Sequence, residues 1–332
     1  MTISQLRLRL CLCLFLLLVC GWFTATTAQT QNLRSATASS YVERGNQWFA
    51  KGEWARAEAD FALAIATDPN QAGAYYNRAT ARYVLGKLAE ALSDYDRALQ
   101  LNPRLIEAYL NRGGIRYILG DFDGVLSDSN KVIKLNPKLA MGWSNRALAR
   151  GGKGDDAGAL ADLDRAVQLD ARNAEIYNNR GTVRFRLKDY DGAISDQNRA
   201  LKLKPAFAEA FNDRGVARQF NGDLDGATGD YNQALKLKPS FADPWFNRAA
   251  CWHLKQEWAR AEADFTEYIT RKPQQADAYA LRGIMRLRQG RADEAQEDFA
   301  QCLRLNPNLR QSVEQMIEEA KRQMARTPPA AS

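Results

Sequence analysis

The chain repeats itself every 34 residues, and this period constrains its fold more than any other feature. Aromatic residues recur at this spacing eight times without a single insertion. A unit of about 20–50 residues cannot bury its hydrophobic face alone, so neighbouring units must stack into a continuous array. The recurring aromatic residues are Tyr41, Tyr75, Tyr109, Trp143, Tyr177, Phe211, Trp245 and Tyr279.

Each repeat is taken to begin three residues before its aromatic residue, so the eight repeats cover residues 38–309. They start at residues 38, 72, 106, 140, 174, 208, 242 and 276. Position 8 is Gly or Ala in every repeat, position 20 is Ala in seven, and a proline closes seven. Apolar residues three and four apart, on both sides of a turn that usually contains glycine, predict two helices per repeat.

Each repeat thus has an aromatic residue at position 4, Gly or Ala at position 8, usually Ala at position 20, and usually a closing Pro. This pattern resembles the tetratricopeptide repeat. The resemblance implies an all-α fold: a right-handed superhelical solenoid of eight 34-residue helix-turn-helix repeats plus a C-terminal capping helix. It also implies that the first helix of each pair lines a concave groove. Three repeats depart from the pattern where the second helix should carry an aromatic residue, with Ser129, Leu163 and Gln197.

The two ends of the repeat array have separate predictions. Residues 310–326 carry apolar side chains at helical spacing opposite a charged side, which indicates a capping helix over the open end of the array. Residues 29–37 are predicted to be a linker and residues 327–332 a disordered tail.

Residues 1–28 are interpreted as a bacterial export signal. Arg7 and Arg9 precede an uncharged, mostly apolar run of 14 residues, and small residues then lead to Ala28. A helix of this run is about 21 Å long, shorter than the bilayer core of about 30 Å. Cleavage after Ala28 predicts a periplasmic or secreted protein. An uncleaved segment anchored in the inner membrane and lipidation at Cys20 are the alternatives.

Charged residues repeat in phase with the array. Position 7 is Arg in all eight repeats, position 11 is Arg in six, and position 23 is Asp in all eight. These residues could form a basic stripe for phosphates or an internal ladder of Arg–Asp pairs. The ladder is favoured because the arginine fork suits half-buried carboxylates, and the surplus of six arginines nearly accounts for the formal charge of +7. In repeats two to five its members are Arg78, Arg82, Asp94, Arg112, Arg116, Asp128, Arg146, Arg150, Asp162, Arg180, Arg184 and Asp196.

The ends of the array indicate how the ladder is connected. Arg44 is present although no repeat precedes it, so we expect position 7 to pair with the Asp of its own repeat. Position 11 is Trp48 in the first repeat, where no earlier Asp exists. We therefore expect position 11 to pair with the Asp of the preceding repeat, a rule that leaves Trp252 in repeat seven unexplained.

The resemblance places positions 2, 5, 9 and 12 on the concave wall, and the residues found there predict a groove for an extended peptide. Any one of the aromatic residues could instead pack between helices. Positions 2, 5 and 9 contain no Lys or Arg, so the carboxylate clamp of co-chaperone members of the family is not expected. Position 2 is acidic in five repeats, which favours apolar or basic segments and disfavours nucleic acid. The groove candidates are Phe49, Tyr76, Tyr83, Leu110, Tyr117, Asn178, Phe185, Asn212 and Phe246, with Phe220 from position 13.

The inventory of reactive residues argues against catalysis. His253 is the single histidine, which excludes a multi-histidine metal site, and no phosphate-binding or nucleophile motif is present. Cys251 and Cys302 are expected to be buried thiols rather than a disulfide. The sequence predicts a non-catalytic scaffold, without metal or cofactor, that binds a protein or extended peptide outside the cytoplasm. The alternative is an accessory subunit of a cell-envelope assembly or polysaccharide-export machine, with partners on its outer surface.

Overall fold

The computed structural model describes residues 29–326, and every regular element in this range is helical. The predicted export signal (1–28) and tail (327–332) lie outside the described residues. Between residues 29 and 326, no helix combines the length and apolarity needed to cross a bilayer. The helices are α1 (29–50), α2 (Trp54–Thr67), α3 (Ala72–Val84), α4 (Leu88–Leu101), α5 (Ile106–Ile118), α6 (Phe122–Leu135), α7 (Ala140–Gly152), α8 (Asp156–Leu169), α9 (Ala174–Arg186), α10 (Tyr190–Leu203), α11 (Ala208–Phe220), α12 (Leu224–Leu237), α13 (Asp243–Leu254), α14 (Trp258–Arg271), α15 (Ala276–Arg288), α16 (Ala292–Leu305), a 3-10 turn (Pro307–Leu309) and α17 (Arg310–Arg326).

The helices follow the 34-residue period of the sequence. From repeat two onward, each first helix begins at position 1, except that α13 begins one residue later at Asp243. All eight second helices are 14 residues long and begin at position 17. The turn between the helices needs a left-handed residue at position 15, such as Gly86 with φ of 77°. Lys188 and Gln256 adopt the same conformation in the two repeats that lack this glycine.

Residues 29–37 form the start of α1, so the predicted linker is wrong. No glycine or proline occurs between residue 29 and Gly45 to end the helix. Ala38 is fully buried against Ala64 and Ala74, and the side-chain amide of Gln71 donates to the Ser35 carbonyl at 3.3 Å. The stacking of repeats one and two therefore orders this segment.

The described chain forms two compact units that divide between Lys153 and Gly154. Consecutive helices pack against each other from α2 to α7 in the N-terminal unit and from α8 to α16 in the C-terminal unit. Tyr95 and Ile115 are fully buried in the core of the N-terminal unit, and Phe265 and Met285 in that of the C-terminal unit. Each unit is thus a stack of helix pairs with its own hydrophobic core.

Position 8 is small because two helices of a repeat meet there. A Cβ atom added to Gly215 would lie 2.6 Å from the ring of Tyr231 in the second helix of the same repeat. The same close approach separates Gly283 from the ring of Phe299. The aromatic residue at position 24 therefore occupies the space that the glycine leaves.

The last helix, α17, covers the end of the C-terminal unit. Val313 and Ala320 are 3% and 2% exposed, and Met316 and Ile317 pack against the same core cluster. The other side of the helix is charged and exposed. This amphipathic helix shields apolar side chains that a further repeat would otherwise cover.

Candidate functional site on the first helices

The arginines at position 7 bind the aspartates of their own repeats through two hydrogen bonds. In repeat two, Arg78 Nε donates to Asp94 Oδ2 at 2.8 Å and its Nη2 donates to Oδ1 at 2.7 Å. This bidentate geometry is the strongest form of an arginine–carboxylate pair. The other pairs of this type are Arg44–Asp60, Arg112–Asp128, Arg180–Asp196, Arg214–Asp230, Arg248–Asp264 and Arg282–Asp298.

The arginines at position 11 also bind the aspartates of their own repeats, so the predicted pairing with the preceding repeat is wrong. Arg82 Nη1 lies 2.7 Å from Asp94 Oδ2, and the corresponding contact of Arg116 with Asp128 is 2.9 Å. Positions 7 and 11 are one helical turn apart and share a face, so both side chains reach the same carboxylate. Further pairs of this type are Arg184–Asp196, Arg218–Asp230 and Arg286–Asp298.

Tryptophan replaces the position 11 arginine in repeats one and seven, and the structure accounts for both. The Trp48 ring lies between Lys51 and Arg56, each 5.0 Å from the ring centroid. Trp252 is held in the same way by Lys255 and Arg260, at 5.2 and 5.0 Å. Cations thus stack on the indole ring in both repeats.

The same two repeats carry a glutamate that connects them to the next repeat. Glu58 of repeat one accepts from Arg82 Nε at 2.9 Å and from Lys87 Nζ at 2.7 Å, both in repeat two. Glu262 binds Arg286 and Arg291 of repeat eight in the same manner. Burial raises the pKa of Glu58, but the hydrogen bonds from Lys87 and Arg82 outweigh it and leave the pKa below its usual value.

The groove candidates Tyr76, Leu110 and Phe246 at position 5, and Phe49 at position 12, pack into the core. The ring of Tyr76 lies 5.9 Å from that of Tyr95, and its hydroxyl accepts from Asn111 Nδ2 at 3.2 Å. Leu110 packs against the same cluster. Phe246 packs on the rings of Phe265 and Tyr268, at 5.5 and 5.1 Å, and Phe49 lies 4.6 Å from Trp54. These residues therefore hold the repeats together.

Three other candidates, at positions 12 and 13, are exposed. Tyr83 and Tyr117 in the N-terminal unit are 41% and 42% exposed, and Phe220 in the C-terminal unit is 59% exposed. Their neighbours at the ends of the same helices, which were not predicted from the sequence, are exposed as well. We define the apolar strip of the N-terminal unit as Tyr83, Val84, Tyr117, Ile118 and Leu119, each of which is exposed.

The predicted peptide-binding amides bond to neighbouring repeats. Asn212 is 7% exposed; its Oδ1 accepts from Asn247 Nδ2 at 3.0 Å and its Nδ2 donates to Asp213 Oδ1 at 3.3 Å. Asn178 Nδ2 donates to the other oxygen of Asp213 at 3.3 Å. These side chains form a polar row along α9, α11 and α13 of the C-terminal unit.

Acidic residues at position 2 form ion pairs in three repeats, which reduces the expected acidity of this face. Glu175 accepts from Lys204 at 2.8 Å, Glu209 from Lys238 at 2.8 Å, and Asp243 from Lys272 at 2.6 Å. The hydrogen bond from Lys204 lowers the pKa of Glu175, and that from Lys238 lowers the pKa of Glu209. Charge attraction from this position is therefore weaker than the sequence indicated.

A cavity of about 300 Å³ lies beside the polar row of the C-terminal unit. Phe185, a groove candidate, is half-buried in its lining and contacts the rings of Phe220 and Tyr190 at 5.1 and 5.6 Å. Gln197 and Asp213 form the polar part of the lining. The complete lining is Gly181, Thr182, Phe185, Arg186, Gln197, Asp213 and Val216.

The histidine and the two cysteines take part in packing. His253 lies 5.5 Å from the Trp258 ring, and burial lowers its pKa. Cys251 and Cys302 are buried free thiols, and burial raises the pKa of Cys251 to about 12. Among residues 29–326, no three His, Cys, Asp or Glu side chains are grouped to hold a metal ion.

The similarity to known proteins agrees with this architecture. Models of the tetratricopeptide repeat match residues 72–105, 174–207, 212–276 and 276–309, together half of the chain. Three of these matches have the bounds of repeats two, five and eight. No curated protein matches the chain closely enough to count as a relative.

Two of the solved structures that match this chain illustrate the shared fold. The structure of PilF from Pseudomonas aeruginosa is 19% identical, covers 66% of this chain and 97% of its own, and gives a TM-score of 0.58. The APC/C hetero-tetramer Cut9–Hcn1 is 14% identical and covers 83% of this chain, with a TM-score of 0.64; the match spans 54% of that protein. At these identities the similarity concerns the fold alone. The 34-residue period, the helix pairs and the matching repeat models together establish that the chain belongs to the tetratricopeptide repeat family.

Proposed function

We propose that this chain is a scaffold that works outside the cytoplasm and holds an apolar to basic segment of another protein against its first helices. Tetratricopeptide repeats typically mediate protein interactions, and proteins of this family are generally non-catalytic scaffolds. The location and the binding face go beyond these family properties.

The apolar strip of the N-terminal unit is the observation that carries the proposal. Tyr83 and Tyr117 occupy the same position in consecutive repeats, and both leave about two fifths of their surface exposed. Ile118 and Leu119 extend the exposed surface at 58% and 56%. Exposed apolar side chains that recur at the same helix end in consecutive repeats support an interaction site, and tyrosine is enriched where binding energy concentrates.

The charge distribution favours a partner that is not strongly acidic. The ladder arginines are paired with aspartates and, apart from Arg44, only 13–26% of each side chain is exposed in the pairs described above. They therefore offer no unpaired row of cations to phosphates or carboxylates. Nucleic acid and acidic tails are poor ligands for such a surface.

Site-specific photo-cross-linking in producing cells tests the proposed face. A photoreactive amino acid replaces Tyr83, Tyr117 or Phe220 in the full chain, and cross-linked proteins are identified by mass spectrometry. Leu63 and Leu237 provide matched controls because they are 45% and 42% exposed on second helices. We expect cross-links to a partner segment from the first-helix positions and few from the controls.

The opposite result would favour the alternative function. If cross-links form mainly at Leu63 and Leu237, the partner docks on the second helices, as expected for an accessory subunit of an envelope machine. If no position on either face forms a cross-link, the chain is not a protein-binding scaffold under these conditions and the proposal fails.

The proposed location has its own test. Cell fractionation and mass spectrometry of the purified protein should find it in the periplasm or medium, with Gln29 as its first residue. Retention of residues 1–28 in a membrane fraction would indicate an anchor. Recovery of the protein in the cytoplasm would contradict the proposal.

A further inference from the structure

One acidic residue breaks the regular polar row of the first helices. Position 6 is Asn in five repeats, and in repeat six it is Asp213. Three of these asparagines, Asn77, Asn111 and Asn247, donate to the preceding repeat; Asn247 Nδ2, for example, donates to Asn212 Oδ1 at 3.0 Å. Asp213 instead accepts from the preceding repeat, from Asn178 Nδ2 and Thr182 Oγ1, both at 3.3 Å.

This carboxylate has weak partners. Its three hydrogen bonds are all 3.3 Å long and come from neutral groups. Asp213 forms no ion pair with any Lys or Arg between residues 29 and 326, in contrast to the ladder aspartates. Burial raises its pKa, because these neutral donors only partly offset the loss of water. A half-buried carboxylate that lacks an ion pair attracts a cation.

A second break in the pattern creates the space beside it. Position 24 is aromatic in repeats such as six, where Tyr231 lies against Gly215, but in repeat five it is Gln197. Gln197 is 1% exposed, and its Nε2 donates to the Asn178 carbonyl at 3.2 Å. Its Oε1 accepts no hydrogen bond, and neither does Asn178 Oδ1. A shorter, linear side chain in place of a ring leaves the cavity.

The remaining lining suits an aliphatic stem that ends in a positive charge. Phe185 and Val216 supply apolar walls, and the exposed Phe220 ring lies 5.1 Å from that of Phe185. Arg186 also lines the cavity, but its Nε and Nη2 bind Asp156 at 2.8 and 2.7 Å. An ammonium group has three donors and no acceptor, which matches a carboxylate that has only weak, neutral donors.

We infer that the cavity lined by Gln197 and Asp213 is a binding site for a primary alkylammonium group, namely a lysine side chain of the bound segment. The site rests on the proposed function for its biological ligand. It specifies that function further, because the basic residue of the bound segment is then a lysine. Asp213 would pair with the ammonium, and Phe185 would contact the stem.

Titration of the full chain with n-butylammonium tests the pocket without any partner protein. Binding in the millimolar range should shift the side-chain amide resonances of Asn178 and Gln197 in nuclear magnetic resonance spectra. n-Butanol, which lacks the charge, should shift them at least about tenfold more weakly, because a hydrogen bond to a charged group is worth far more than one to a neutral group.

Two variants take their residues from other repeats and should therefore fold. Asp213→Asn introduces the residue that position 6 carries in five repeats. Gln197→Tyr introduces the residue of Tyr95, whose hydroxyl lies 3.0 Å from Thr80 Oγ1; Thr182 occupies the position of Thr80 in repeat five. Each should weaken n-butylammonium binding at least about tenfold, the first by removing the charge and the second by filling the cavity. The Asn178 resonances report binding in both variants.

The outcomes separate this inference from the proposed function. If n-butylammonium shifts no resonance, or shifts them equally in Asp213→Asn, the pocket is wrong even where cross-links form at Tyr83 and Tyr117. If n-butylguanidinium binds more tightly than n-butylammonium, the lysine assignment is wrong. If n-butylammonium binds as expected and no partner is cross-linked, the pocket stands and the scaffold proposal fails.

Discussion

Arg78 and Asp94 lie sixteen residues apart in the sequence and join the two helices of one repeat through bonds of 2.8 and 2.7 Å. Arg82 adds a third bond, of 2.7 Å, to the same carboxylate. The Asp94 side chain is 5% exposed, so this charge is neutralised inside the fold. A set of residues that looks like a basic stripe in the sequence is therefore structural.

Asp94→Ala should destabilise the protein strongly. The substitution leaves Arg78 and Arg82, which are 16% and 21% exposed, without their shared carboxylate. Removal of one partner from a buried pair typically costs about 3–5 kcal/mol. Urea denaturation should therefore show a much lower midpoint. Glu90→Ala, at an exposed position of the same helix, should change stability by less than about 0.5 kcal/mol. Equal midpoints for the two variants would contradict a buried ladder.

The connection between repeats one and two should be sensitive to acid. Hydrogen bonds from Lys87 and Arg82 hold the pKa of Glu58 below its usual value despite burial. A glutamate whose pKa is lowered by folding stabilises the fold fully at a pH above its pKa in the unfolded chain, which is about 4.3. This stabilisation is lost as the pH falls below that value. Glu58→Gln should thus be less stable than the wild type at pH 7, and this difference should shrink below about pH 4. A difference that does not depend on pH would exclude the ionic contribution. Lys87→Met should behave in the same way.

In the N-terminal unit, substitution of exposed aromatic residues should affect partner binding, whereas substitution of packed aromatic residues should affect the stability of the fold. The double variant Tyr83→Ser, Tyr117→Ser should weaken binding of the cross-linked partner at least about tenfold and leave the melting temperature nearly unchanged. Tyr76→Ala should instead destabilise the fold by about 2–4 kcal/mol, because the Tyr76 ring packs on Tyr95. Unchanged partner affinity in the double variant would show that the apolar strip is not the site.

The paired arginines predict that the chain does not bind nucleic acid despite its net charge of +7. A fluorescently labelled single-stranded DNA should show no saturable binding at an ionic strength of about 0.15 M. Affinity that declines steeply with added salt would demonstrate an accessible basic surface and contradict this prediction.

Alkylammonium binding should weaken in acid because it requires an ionised Asp213. Burial and the nearby Glu209 raise the pKa of Asp213, and the donors Asn212, Thr182 and Asn178 oppose this shift. An ordinary aspartate has a pKa of about 3.9. As the pH is lowered, binding should therefore be lost at a pH above that value. Because the raised pKa means that the charge costs stability at pH 7, Asp213→Asn should be at least as stable as the wild type there. Binding that is constant from pH 7 to pH 4 would exclude Asp213 as the partner of the ammonium.

The sequence alone determined the features that repeat. The 34-residue period predicted the starts of the helices, and the arginine at the very first position 7 indicated pairing within a repeat. These predictions hold because an α-helix has 3.6 residues per turn, so the spacing of residues in the sequence determines which of them share a helix face. Eight copies of each position make that face unambiguous.

Only the tertiary structure decided which residues on a shared face touch another helix. Tyr76 and Tyr83 both belong to the predicted wall, yet Tyr76 is packed and Tyr83 is exposed, because the neighbouring repeat covers only the first. Gln197 and Asp213 lie sixteen residues apart in different repeats, and each looks in the sequence like a single departure from a pattern. Their meeting in one cavity follows from how one repeat packs on the next. How unlike side chains pack between repeats depends on the three-dimensional arrangement of the helices, and the repeat period in the sequence does not specify that arrangement.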